Sequence, residues 1–137
     1  MEPSAHLHHR ARRYGTLGAG LLGVGALTYV GIADPHRAGS LYPPCPFKLL
    51  TGWNCPACGG LRMTHDLLHG DLAAAVVDNL FLLIGLPVLA IWVIWRLKRG
   101  ERPFSLLAVV VIAVAAVAWT VMRNIPGFPL VPTLLGQ

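Results

Sequence analysis

Three stretches of the chain are almost free of charge: residues 15–33, 72–97 and 106–122. None shows the clean alternation of a half-buried strand, and none shows the single apolar stripe of a helix lying on a soluble core. At ~1.5 Å per residue, about 17–26 apolar residues reach across most or all of a hydrocarbon core roughly 30 Å thick. The pattern therefore predicts an all-α membrane protein with three transmembrane helices. A basic tail (1–14) precedes them, a short loop (98–105) joins the second to the third, and a tail (123–137) closes the chain. A cleaved signal peptide is the rival reading of the first span, with small residues at Gly31 and Ala33, but its apolar run exceeds the usual ~7–15 residues.

The segment 34–71 differs in kind. Pro35, Pro43, Pro44, Pro46 and Pro56 forbid a continuous helix up to residue 56, and all three cysteines lie here. From residue 60 to 69 a short interfacial amphipathic helix is expected. At ~100° per residue it gathers Arg62, His65, Asp66 and His69 on a polar face and turns Leu61, Met63, Leu67 and Leu68 the other way. Gly70 supplies a stop and Asp71 the next N-cap. In the second span a kink is expected at Pro87, and Trp92 and Trp95 anchor its far end beside Arg96, Lys98 and Arg99.

Composition supports the membrane reading. Hydrophobic residues make up 55% and charged residues 12%, with a mean hydropathy of +0.60, too little charge to solvate a globular surface. The net charge of +5 comes mainly from Arg10, Arg12 and Arg13 and from Arg96, Lys98, Arg99 and Arg102. Beside apolar runs such clusters hold their loops in the cytoplasm. The N-terminus is then cytoplasmic, and the cysteine segment and C-terminus extracytoplasmic. The richness in Ala, Val and Gly with few Lys points to a high-GC bacterium, so the expected membrane is the bacterial cytoplasmic one. Without aromatic residues interleaved among the basic ones, nucleic acid is not an expected partner. The bilayer is, and Gly15, Ala19 and Gly23 form a small-residue stripe for packing against a second copy or a membrane partner. The terminal histidines His6, His8 and His9 read as a frayed end.

The chemistry concentrates in Cys45, Cys55-Pro-Ala-Cys58-Gly59, His65 and His69. Three uses compete. Cys45, Cys55, Cys58 and a histidine make a complete four-ligand zinc set. In an oxidising compartment, two of the three cysteines would instead pair as a disulfide. The Cys-x-x-Cys spacing also suits thiol redox exchange, though that chemistry usually sits on a thioredoxin-like fold. A polar cluster of Arg62, Asp66, Asp71, Asp78, Asn79, Arg123 and Asn124 is expected on the same membrane face. No nucleophilic serine motif, phosphate-cradling loop or paired-carboxylate arrangement is legible. A non-enzymatic accessory or partner-binding subunit with a cysteine-ordered outer loop is therefore the leading expectation, and a metal-handling or thiol-redox protein the alternative.

Cys45-Pro-Phe, Thr51-Gly52, Cys55-Pro-Ala-Cys58-Gly59-Gly60, Arg62, His65 and His69-Gly70-Asp71, with Arg123-Asn124-Ile-Pro126, together resemble the bacterial family called domain of unknown function 2752. The resemblance implies small membrane proteins in which the cysteine segment and the Arg123–Asn124 end belong to one site. We expect Arg123 to reach the cysteine loop or a nearby aspartate. Asn79-Leu80 stands where the family pattern has Asn-Pro, so the second helix is expected to start less bent.

Overall fold

The computed structural model describes residues 4–37 and 42–131, with side chains described at Arg10 and from Arg13 onward. His6, His8, His9 and Arg12 lie outside the described side chains. Among the described residues every regular element is a helix: α1 (Ser4–Ile32), α2 (Pro46–Thr51), α3 (Gly60–Leu68), α4 (Leu72–Lys98) and α5 (Leu106–Arg123). Three are long and apolar enough to cross a membrane, within Arg13–Ile32, Leu72–Lys98 and Leu106–Arg123. Helix α1 starts at Ser4, well before the charge-free run begins.

Helix α2 was not anticipated from the prolines. It forms because Pro46 falls in its first turn, where a missing N–H costs nothing. It stops at Gly52, whose φ of 73° lets its N–H return to Lys48 O at 2.9 Å. Asp71 caps α4 as expected, accepting from the Ala74 N–H at 2.9 Å. Ser105 does the same for α5, accepting from the Ala108 N–H at 3.3 Å.

Burial is inverted relative to a soluble domain. Among the described residues the buried apolar side chains are Val30, Met63, Ala75 and Trp119, while Asp66, Asp78, Asn79 and Arg123 are buried with them. Leu17, Leu21 and Leu22 of α1, Ile84, Val88 and Ile91 of α4, and Val114 and Val117 of α5 point outward. Large outward apolar faces around a small polar-centred core suit a lipid environment. Gly15, Ala19 and Gly23 also face outward, and nothing in the chain lies within 4 Å of a Cβ built at Gly15 or Gly23.

The core sits where α3 packs between the end of α1 and the start of α4. Gly60 permits this approach, since a Cβ there would stand 2.8 Å from Leu82 Cδ1. Asp66 is a correction to the solvated polar face expected of α3: it turns inward, 7% exposed. At the other end of α4, Arg99 stacks over Trp95 at 3.8 Å and Arg96 pairs with Glu101, anchoring the basic loop.

Candidate metal centres

Helix α4 breaks at Asn79, where φ −162° and ψ 83° are extended rather than helical. Pro87, the expected kink, lies inside the helix, and the break comes eight residues earlier without any proline at position 80. The side chain of Asn79 explains it. Its Oδ1 accepts the Leu82 N–H at 3.0 Å, restarting the helix as an N-cap would. In an unbroken helix that N–H would go to Asp78 O. The released Asp78 carbonyl instead accepts Arg123 Nη2 at 2.9 Å.

The same two residues hold the cysteine turn. Asn79 Nδ2 donates to Pro56 O and to Cys58 O, both at 3.0 Å. Arg123 Nη1 donates to Cys58 O at 2.7 Å. Next to it, Asn124 accepts the Asn54 N–H at 2.9 Å and donates to Asn54 O at 3.0 Å. The expected reach of Arg123 to the loop is therefore present, and it ends on backbone carbonyls rather than on a carboxylate. Gly59, at φ 84°, makes the turn from Cys58 into α3.

These supports bring the three sulfurs together. Cys55 Sγ lies 2.9 Å from Cys58 Sγ and 3.4 Å from Cys45 Sγ, and all three lie within 4.8 Å of one another. The Cys55 N–H points at Cys58 Sγ, 3.1 Å away. All three cysteines are free and half-buried. The Lys48 N–H at the start of α2 draws the Cys45 thiol below its ordinary value. Burial, with the hydrogen bond that the thiol itself donates to Cys55 Sγ, pushes the Cys58 thiol up to about 12.

The histidines expected to complete this set stand elsewhere. Among the described residues no histidine or carboxylate joins the sulfurs in one ligand-sized group. His65 Nδ1 meets Val30 O at 2.8 Å, and His69 Nδ1 meets His65 O at 2.8 Å. A carbonyl only accepts, so both Nδ1 atoms carry a proton. His65 Nε2 lies 3.9 Å from Asp34 Oδ1.

A second group forms from residues far apart in sequence. His36 Nε2 lies 2.9 Å from Asp66 Oδ1 and 3.7 Å from Asp78 Oδ2. Its ring stands 6.0 Å from that of His65. Sequence reading missed His36 altogether and found no paired carboxylates, because this pair is made by packing α3 on α4. Of the expected polar cluster, Asp66, Asp78, Asn79, Arg123 and Asn124 meet in this region, and Arg62 lies close enough to Asp78 for its charge to act there. Asp71 is an exposed cap.

No curated protein and no solved structure matches the chain. Residues 45–93, which carry the three cysteines, α3 and the break in α4, match the family described as Protein of unknown function (DUF2752).

Proposed function

We propose that this is a membrane-embedded metal-handling protein in which Cys45, Cys55 and Cys58 hold a thiophilic divalent ion such as zinc. The convergence of all three sulfurs carries the reading. A disulfide would use two and leave the third without a reason to be there. Thiolates about 2.3 Å from a tetrahedral zinc sit roughly 3.8 Å apart, so the sulfurs, now 2.9 and 3.4 Å from Cys55 Sγ, would part slightly to take the ion. Three thiolates and a divalent ion carry one net negative charge, which the buried Arg123 guanidinium, bonded to Cys58 O, offsets. Zinc takes four ligands, so the fourth comes from solvent or from a membrane partner. The partner case makes the protein an accessory subunit rather than an enzyme. In this reading the site faces outward from a bacterial cytoplasmic membrane and the N-terminus lies in the cytoplasm, as the basic clusters favour.

Thiol alkylation read by intact mass, with elemental analysis of the detergent-purified protein, tests this. About one zinc per chain, with three thiols that react only after chelation, is the expected result. A disulfide is the second reading, favoured by the 2.9 Å approach of Cys55 Sγ to Cys58 Sγ. One oxidised pair with no bound metal would establish it and end the metal proposal.

A further inference from the structure

The cluster at the other end of α3 has the geometry of a cation site of different chemistry. Asp66 is 7% exposed and Asp78 4%, and neither Asp66 Oδ2 nor Asp78 Oδ2 meets a hydrogen-bond donor. Two buried carboxylates side by side with unsatisfied oxygens are costly unless a positive charge or a proton settles them. Arg62 contributes one charge near Asp78. His36 adds a nitrogen donor, its side chain 24% exposed, so the group is reachable from the protein surface. One ligand atom from each of His36, Asp66 and Asp78 lies within 4.8 Å of the other two. Nitrogen and oxygen ligands about 2.0–2.2 Å from a tetrahedral ion sit roughly 3.4 Å apart, and the observed separations of 2.9 and 3.7 Å straddle that value.

We infer that His36, Asp66 and Asp78 form a second metal site, selective for a first-row divalent cation that accepts one imidazole and two carboxylates. A nitrogen and oxygen donor set suits manganese, iron(II) or zinc, whereas three thiolates suit softer ions. The inference stands apart from the cysteine reading and shares no ligand with it. Arg123 links the two sites, bonding Cys58 O with one nitrogen and Asp78 O with the other.

The test is Mn²⁺ binding to the full-length, detergent-purified, metal-stripped protein, followed by the EPR signal of free Mn²⁺. Wild type should bind about one Mn²⁺ per chain. A variant with Cys45, Cys55 and Cys58 all changed to Ser should bind it equally well, so failure of the cysteine site leaves this result intact. Asp66→Asn and Asp78→Asn should each weaken binding about 100-fold, and His36→Gln about 10-fold or more. Because His36 is partly exposed, His36→Gln with unchanged helicity and a single elution peak carries the test if the buried variants do not fold. Wild type that binds no Mn²⁺, or a folded His36→Gln variant that binds as wild type, overturns the proposal. In the first case the paired carboxyls share a proton instead.

Discussion

The cysteine cluster and the His36–Asp66–Asp78 cluster stand at opposite ends of α3, on the order of 10 Å apart along the helix. The first has its ligands close in sequence, within residues 45–58, on a segment bent by a short helix and by Gly52 and held in place by Asn79, Arg123 and Asn124. The second is assembled from a turn after α1, the last turns of α3 and the second turn of α4. Its members meet only because α3 packs against both neighbours. One cluster offers polarisable sulfur and the other imidazole and carboxylate, so the two should sort ions by softness. The difference teaches that one helix can present two unlike donor sets, one set by spacing and the other by docking.

The largest effect should come from swapping the comparison's chemistry. Cys55→Ser should weaken zinc binding about 100-fold or more, beyond the usual cost of an outer-shell change, while leaving Mn²⁺ binding as it is. Parallel zinc and Mn²⁺ titrations of this variant read both affinities. Equal losses of the two ions would mean a single site and would break the comparison. The cysteine site should also depend on pH. With the Cys58 thiol pushed up to about 12, zinc must displace protons, so its affinity should rise by about one decade or more per unit between roughly pH 6 and 8. Competition with a chelator across that range measures the slope.

Next in size are the supports the two clusters share. Asn79→Ala removes the cap on Leu82 and leaves Pro56 O without its donor. A cost of about 2–4 kcal/mol is expected from the lost cap and the orphaned carbonyl together, seen as a lower melting midpoint in detergent. Zinc should recover part of that loss, since a ligand bound by the folded state stabilises it. Arg123→Lys should cost about 1–3 kcal/mol, because one ammonium cannot reach both Cys58 O and Asp78 O as the guanidinium fork does. Faster proteolysis of the cysteine segment would accompany it. Unchanged protection would mean that Arg123 does not couple the clusters.

The smallest effect concerns Asp34, whose carboxyl is held below its ordinary value, chiefly by the His36 N–H. A lowered folded pKa means that this contribution is complete above the unfolded value near ~3.9 and is lost as pH falls through the folded value. Asp34→Asn should therefore lower the melting midpoint slightly at neutral pH, and the gap from wild type should close as the solution is acidified. A gap that widened in acid would reverse the assignment.

Several parts of this architecture were legible along the chain. The three spans are composition and length, properties a bilayer reads without reference to tertiary contacts. Asp71 acts through an N–H a few residues away, so neighbouring sequence suffices to place the cap it makes. Short loop closure keeps Cys45, Cys55 and Cys58 within reach of one another, and the bonds from Asn79, Arg123 and Asn124 then hold the turn on which the sulfurs meet.

Other parts were decided only when helices met. Nothing in residues 60–69 says that Asp66 turns inward, because helical periodicity gives a face and not the direction in which it docks. The break at Asn79 needed the carbonyls of Pro56 and Cys58 within reach of its amide, and Arg123 then took the carbonyl that the break released. His36 carried no signal of its own, since its partners lie 30 and 42 positions away. Sequence by itself determined which helices are long and apolar enough to cross a membrane, because solvent preference is local. Tertiary structure decided which carboxylates are buried together and what faces them, because the cost of an unpaired charge appears only when packing removes water.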